Sequence, residues 1–563
     1  MYLGRINLKK QGFLYGSIIL VASVIITKII GALFKIPLAN MLGGTGMGYF
    51  GCAYGLFMPI YAISVTGLPT AVAKLTAENV AFERYANVRK IKRISLLMFT
   101  LIGLFASVVL FLLALPFSKF IVETPASFPA VVVIAPSILF GCVMAVYRGY
   151  YEGLRNMYPT AISQIAEAVV KLCAGLGLCY FTIKLADKNP QAFLNIIGKL
   201  QNVTGIPIEE LILPYSAAAA VLGVTLSSLA GMIFLILRHK IIGDGITKAE
   251  IAKDKITDSG KALASDLMKI VIPVAIGSLV TNLTSLIDLG TITRSLNTAI
   301  EKGPEYFIGI GVPLDEMSNF IYGSFTGLAV TIFNLVPSFT NMFGKGILPN
   351  LAEAWSIKDQ KRIKKSVESV ILVTGLVAIP SGLGICALAR EILQFLYASR
   401  TSEILVSYQS LAVLGVGVVL LALTTPVFAM LQAIGRADLP VKIMLIGVAV
   451  KLIGNLVLIP IPEINIVGAG ISTMVCYAVI SVISIKCLCK ETGVKLNIGK
   501  IFFQPLYAGI LCSLGAVLAY SFLISHLGNR LSLLAGIGFG GLIYLFSLYL
   551  LDVITKKQIK SLF

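Results

Sequence analysis

The chain alternates long apolar stretches with short polar or basic ones. A helix needs about 20 mostly apolar residues to cross a bilayer, and about fourteen such stretches can be marked here. They lie near 12–39, 47–67, 94–116, 129–152, 159–182, 213–237, 269–291, 319–342, 367–388, 404–432, 440–461, 466–485, 503–524 and 531–551. Proline stands at or beside several of their ends, as at Pro116, Pro129, Pro159, Pro440 and Pro462, where it breaks or starts a helix. The pattern predicts an all-α polytopic membrane protein. The segment Met1–Lys10 is basic. The apolar run after it is too long for a signal h-region and has no A-x-A site, so it reads as the first spanning helix.

Composition agrees. The 563 residues are 57% hydrophobic and 13% charged, with mean hydropathy +0.91. A soluble domain carries roughly 25% charged residues, so lipid must solvate much of this surface. The formal charge of +19 would suit nucleic acid, but the basic residues cluster in loops between the apolar stretches. With the N-terminus inside, the cytoplasmic segments hold more than three times as many of the 46 Lys and Arg as the external ones, as the positive-inside rule requires. The tail, with Lys556, Lys557 and Lys560, then also lies inside. This places a multi-pass protein in the cell membrane with both termini cytoplasmic. Nearly all nine cysteines fall in apolar stretches and read as small hydrophobes. No H-E-x-x-H or D-x-D motif occurs, His239 and His526 read as isolated loop residues, and no loop has room for a catalytic domain. The expectation is a non-enzyme. Two basic loops, Lys74 to Arg93 and Pro349 to Lys365, are expected to face lipid headgroups.

Those loops also open an internal repeat. Gly67-Leu68-Pro69 opens one, and Gly346-Ile347-Leu348-Pro349 opens the other. Arg155-x3-Pro159 followed by Val170-Lys171-Leu172 matches Arg436-x3-Pro440 followed by Val450-Lys451-Leu452. The common offset spans six helices, an even number, so the two copies share one orientation as parallel repeats. The expected organisation is an N-lobe over 1–240, a C-lobe over 241–490, and an added helix pair with a tail over 491–563. Two such lobes imply a substrate cavity open alternately to each side.

Charges inside the spans are the candidate chemistry, because an ionisable group at mid-bilayer is costly and usually faces a cavity or a partner. Lys28, Lys171 and Lys451 sit deep, whereas Lys35 and Arg148 lie nearer helix ends, where they could snorkel. Glu167 precedes Lys171 by four residues, the favourable order for a pair on one helix. Lys171 is therefore either neutralised structurally or part of a cation-lined cavity. Lys28 and Lys35 share a face with no acid on it in that helix. Glu167 and Asp288 are the clearest intramembrane acids, so the interior is net cationic. It suits an anion such as a pyrophosphate headgroup and poorly suits cationic drugs.

Several segments carry a likeness to a known family. They are Gly67-Leu-Pro-Thr-Ala-Val-Ala-Lys-Leu-Thr-Ala-Glu78, and Tyr147-Arg-Gly-Tyr-Tyr-Glu-Gly153 with Met157-Tyr-Pro-Thr-Ala-Ile-Ser-Gln164. The second half adds Leu431-Gln-Ala-Ile-Gly-Arg436, Val450-Lys-Leu-Ile-Gly-Asn455 and Ile466-Val-Gly-Ala-Gly-Ile-Ser-Thr473. Over essentially its whole length the chain resembles the polysaccharide-transporter and lipid II flippase branch of the multidrug/oligosaccharidyl-lipid/polysaccharide (MOP) exporter superfamily. Within it the likeness is nearest to the stage V sporulation protein B group. The resemblance implies two lobes plus a helix pair, and alternating-access flipping of an undecaprenyl-pyrophosphate-linked sugar, with lipid II as the leading case. It implies the bilayer, a lipid-linked oligosaccharide and cell-wall synthesis proteins as partners, and no nucleic acid. Substrate-binding candidates are Lys28, Lys35, Arg148, Lys171, Lys451 and Glu167. Lys28 looks like the match for a basic cavity residue, but Phe34 and Lys35 stand where the family has a basic residue followed by an acid. The resemblance also implies a cation site of Asp288, Asn455 and Thr473, although the second acid often found with it is missing. No cofactor is expected beyond coupling to Na+ or to membrane potential. The alternatives are a flippase for another lipid-linked polysaccharide and a MATE-type drug or metabolite antiporter.

Overall fold

The structure is a computed structural model that describes residues 13–200, 208–253, 257–551 and 553. Met1–Lys10 and the tail lysines lie outside the described residues, as do the side chains of 342–350, which include part of one repeat motif. Every regular element among the described residues is helical. That is the economical solution in lipid, where a helix satisfies its backbone polar groups within one segment.

The first ten helices are α1 (Phe13–Val65), α2 (Leu68–Ala81), α3 (Tyr85–Pro116), α4 (Phe128–Ile134), α5 (Pro136–Gly153), α6 (Tyr158–Lys188), α7 (Pro190–Leu200), α8 (Ile208–Ile242), α9 (Lys248–Lys253) and α10 (Gly260–Lys302). The rest are α11 (Leu314–Ser324), α12 (Val330–Phe333), α13 (Leu335–Ser356), α14 (Gln360–Ala387), α15 (Ala389–Leu396), α16 (Thr401–Ala433), α17 (Asp438–Leu458), α18 (Val467–Thr492) and α19 (Gln504–Leu550).

By length and hydropathy, 12 helical runs among the described residues can cross a membrane. The fourteen expected stretches map onto them because two runs hold two stretches each. Ile18–Ala81 has 64 residues and Gly499–Leu550 has 52, each far longer than the ~20 residues of one crossing. The first bends at Gly43 (φ 64°, ψ −169°) and the second at Gly528 (φ 70°, ψ 166°). A residue with a Cβ rarely adopts either conformation.

Both basic loops are in fact largely helical. Lys74 lies in α2, and Arg89 to Arg93 lie in the first turns of α3. Lys361 to Lys365 open α14. The two corners share one geometry. Glu83 (φ 58°) and Lys358 (φ 54°) take the left-handed conformation. The next amide closes each corner, Arg84 N–H onto Asn79 O at 2.8 Å and Asp359 N–H onto Ala354 O at 3.0 Å. The corners before α6 and α17 also match, with Asn156 N–H on Tyr151 O and Arg436 N–H on Leu431 O, both at 2.9 Å. His239 and His526 are not loop residues either: they lie in α8 and α19. His239 Nδ1 is 2.8 Å from Tyr151 Oη.

The chain forms two compact units, Met1–Leu42 with Tyr49–Leu286, and Gly43–Gly48 with Ile287–Phe563. The division falls inside α10, and 491–563 belongs to the second unit. In the first unit α5 packs on α2, α3 and α8, and α6 runs along α8. Gly175 and Gly223 let the α6 and α8 backbones meet, the usual device where lipid removes the hydrophobic drive between helices. In the second unit the mostly buried α16 contacts α13, α14 and α18, α17 packs on α18, and α19 packs on α14.

Candidate functional site

Within the first unit, α1, α5, α6 and α8 bring the candidate charges into two separate arrangements. The first is a closed pair. Arg148 Nη2 lies 2.9 Å from Glu167 Oε2, and Arg148 Nε donates to Ser163 Oγ at 2.9 Å. Ser228 Oγ of α8 donates to the other Glu167 oxygen at 3.4 Å. The side chains are 14% and 27% exposed. Glu167 thus neutralises Arg148 on the neighbouring helix and not Lys171 on its own. The reason is geometric: the guanidinium fork reaches carboxylate and hydroxyl together.

The second arrangement centres on Lys171. Its ammonium lies 5.0 Å from the centroid of the Phe34 ring and 6.0 Å from that of Tyr54. Phe34 is buried. A cation over an aromatic face gains about 0.5–1 kcal/mol, or about 2 when desolvated, which is less than a carboxylate partner gives. Lys35, on the next position of α1, is half-buried. The rings continue as a line on the far side of the Gly43 kink. Phe34 and Phe50 have centroids 6.3 Å apart, Phe50 stacks on Tyr54 at 4.7 Å, and Phe57 and Tyr61 follow. Sequence reasoning missed this line, although the spacing of Phe50, Tyr54, Phe57 and Tyr61 puts them on one helix face. Lys28 lies on an exposed part of α1. Ser23, five residues earlier, donates to Gln164 of α6 at 3.1 Å.

In the second unit the proposed cation site is closed by a lysine. Lys451 Nζ lies 2.6 Å from Asp288 Oδ2. Asn455 Nδ2 donates to Asp288 Oδ1 at 3.1 Å and to Thr291 Oγ1 at 3.0 Å. Ser472 Oγ donates to Asn455 Oδ1. The Lys451 and Asp288 side chains are 5% and 19% exposed. Lys451 therefore does not stand as an unpaired deep lysine. Asp288 and Asn455 do come together as expected, but around an ammonium. Thr473 is buried beside Ser472, and among the described residues Asp288 is hydrogen-bonded by Lys451 and Asn455 instead.

Outside the spans, the first unit carries a polar strap. Asp258 accepts from Arg84 at 2.6 Å and from Asn87 at 2.8 Å. The Arg84 hydrogen bond holds the Asp258 carboxyl below its ordinary range. Asp244 accepts from Tyr150 at 2.9 Å and lies 3.5 Å from Arg89.

Many long apolar helices with ionisable groups at depth define a multi-pass membrane protein of transporter type. More narrowly, the chain belongs to the polysaccharide biosynthesis protein family, whose model matches residues 13–355; a MatE model matches 324–457. It is similar to stage V sporulation protein B of Bacillus subtilis, 22% identical over 556 residues and covering 98% of each chain. It is also similar to the lipid II flippase MurJ of that bacterium, 23% identical over 479 residues, covering 82% of this chain and 80% of that one. A solved structure of lipid II flippase MurJ in an inward closed conformation superposes with TM-score 0.65 at 14% identity, over 96% of this chain and 100% of that one. The fold is thus that of the MOP superfamily, as the motifs implied. At the level of the family its relatives are flippases and transporters, not enzymes.

Proposed function

We propose that this protein flips an undecaprenyl-pyrophosphate-linked sugar, a lipid II-like cell-wall precursor, from the inner to the outer leaflet by alternating access. The observation that carries the reading is Lys171 on α6, whose ammonium lies 5.0 Å and 6.0 Å from the centroids of the Phe34 and Tyr54 rings. An ammonium group in a low-dielectric span is costly to keep, and a pyrophosphate offsets that cost with charge-assisted hydrogen bonds. The line of rings from Phe34 to Tyr61 supplies flat apolar faces beside the charges. Similarity to MurJ and to stage V sporulation protein B supports the same class of substrate. Lys28, seven residues before Lys35 on α1, is proposed to meet the same headgroup. Arg148 and Glu167 brace it as a neutral pair, and Lys451 braces the second unit.

Coupling follows from the same geometry. Asp288 already carries an ammonium, which favours membrane potential over Na+ as the driving term, at about 2.3 kcal/mol per charge per 100 mV. A cationic site is a poor match for a cationic-drug antiporter. A flippase for another lipid-linked polysaccharide shares the diphosphate chemistry and is the second reading.

The test is lipid II exposure in cells depleted of their own flippase and supplied with this protein, read by an outer-leaflet toxin that cleaves exposed lipid II. Restored cleavage that is lost in Lys171→Ala and in Lys28→Ala supports the reading. Cleavage that survives Lys171→Ala combined with Lys28→Ala refutes the cationic site. No restoration despite normal membrane expression moves the substrate to another polyprenyl-linked glycan.

A further inference from the structure

The repeated corners before α3 and α14 start two helices with the same backbone and with basic side chains at the same places. Counting from Glu83 and Lys358, Arg89 and Lys90 correspond to Lys364 and Lys365. In the first unit these cations are used up internally by the segment that follows α8. Arg89 lies 3.5 Å from Asp244 and donates to Ile246 O at 3.0 Å, while Lys90 Nζ donates to Asp258 O. In the repeat, the corresponding segment follows α18. Where the first copy brings two aspartates, this one brings Asn497 and Lys500.

The result is a cavity of about 550 Å³ lined by Lys361, Lys364, Lys365 and Lys500, within the roughly 300–1,000 Å³ range of ligand pockets. Glu368 is the one acid in its lining, 3.9 Å from Lys364. No acid among the described residues lies within 4.0 Å of Lys361, Lys365 or Lys500. Lys361 and Lys365 are one turn apart, a like-charge spacing that destabilises a helix unless something neutralises it. Asp359 does not do so, because its side chain caps the amides of Lys361 and Arg362 at 3.1 Å. Under the lysines the lining turns apolar, with Leu372, Ile501 and Val553; Ile501 and Val553 are buried.

We infer that this cavity binds the phosphate of an anionic phospholipid of the inner leaflet, with the start of its acyl chains on the apolar floor. The ligand phosphate takes the place that the Asp244 carboxylate and the Asp258 backbone carbonyl fill in the first copy. The gradation from ammonium groups to aliphatic side chains is what selects a lipid over free phosphate, and four cations against one acid select an anionic over a zwitterionic headgroup. The charge distribution of the whole chain puts this end of α14 on the cytoplasmic side. This site is separate from the deep lysines of the first unit and stands whether or not the flippase reading does.

The experiment is native mass spectrometry of the purified full chain with dioctanoyl phosphatidylglycerol, dioctanoyl phosphatidylcholine or inorganic phosphate. One phosphatidylglycerol should be retained at activation energies that strip phosphatidylcholine. Each lysine near an anionic surface contributes a modest increment, so Lys361→Gln/Lys365→Gln/Lys500→Gln should weaken retention roughly a hundredfold. The matching triple Arg variant should keep it. Equal retention by wild type and the Gln triple overturns the site. Equal binding of both lipids overturns the charge selection, and displacement of phosphatidylglycerol by millimolar phosphate overturns the lipid assignment. If the Gln triple does not fold, Leu372→Glu, which charges the floor and leaves the lysines in place, should abolish retention of the lipid. Unchanged retention there also refutes the inference.

Discussion

Replacing Lys451 by methionine keeps the length and the apolar stem of the side chain and removes only the ammonium. What remains is Asp288, 19% exposed in the span, with Asn455 as its one other described hydrogen-bond donor. At the observed 2.6 Å the attraction between the charges is about 6 kcal/mol for an effective dielectric near 20, and desolvation of the two groups offsets much of it. The measurable asymmetry lies elsewhere. Removing one partner of a buried pair costs about 3–5 kcal/mol, whereas replacing both is often close to neutral. Lys451→Met should therefore lower the thermal midpoint of the solubilised protein substantially. Lys451→Met combined with Asp288→Asn should recover most of the loss. Heating steps followed by fluorescence-detected size exclusion read both. Sodium in place of choline should leave the wild type unchanged, because an ammonium already sits on Asp288, and should stabilise the Lys451→Met variant. A single variant as stable as wild type, or a double no better than the single, refutes the closed pair.

Arg148→Met strands Glu167 in the same way. Because Glu167 is 27% exposed, the loss should fall at or below the low end of ~3–5 kcal/mol; Glu167→Gln in the same background should restore part of the melting temperature. Gly323→Ala would drive a Cβ onto Gly44 O and Gly48 N, so this overpacking should cost about 1–3 kcal/mol and reduce the folded yield, while Ala at Gly384, with open space around its Cα, should not. The Asp258 strap makes a pH prediction. Its carboxyl is held below the ordinary range by Arg84, so its contribution is complete above the unfolded value of about 3.9 and is lost as pH falls below that. Melting curves should show Asp258→Asn closing its gap to wild type under acid conditions; a gap that widens there refutes the assignment.

The helices were legible because lipid leaves the backbone few options, and hydropathy reports lipid directly. What hydropathy did not report was backbone angle. Gly43 and Gly528 take non-helical angles and break the two longest helical runs between spans that hydropathy had already separated, yet they look like many other glycines in the chain. The two basic loops read as headgroup-facing segments, and their charge did not show that most of each is helix. The charges in the spans could be listed from the sequence, but their partners could not be read from it. Glu167 has a lysine four positions on, but its guanidinium partner lies 19 positions back on another helix. The partner of Lys451 is 163 positions away. Local spacing sees only one helix at a time, and pairing in a bundle is a property of neighbours.

That lesson sharpens where the anion is recognised. The two units are built on corners of the same geometry, and each has one deep lysine in the shared Val-Lys-Leu motif, Lys171 and Lys451. In the second unit that lysine is cancelled by Asp288, and the cations at the helix start are left facing a cavity. In the first unit the cations at the helix start are tied down by Asp244 and Asp258, and the deep lysine meets aromatic rings. An uncancelled charge is expensive to keep in a span, so a purely structural role predicts that both deep lysines would be cancelled alike. The difference between the two copies is what the proposed substrate anion on the first unit would require. It follows that Lys171→Met should change flipping without lowering stability, whereas Lys451→Met should lower stability first. If the two variants lose stability equally, the asymmetry is not functional and the site must be sought elsewhere.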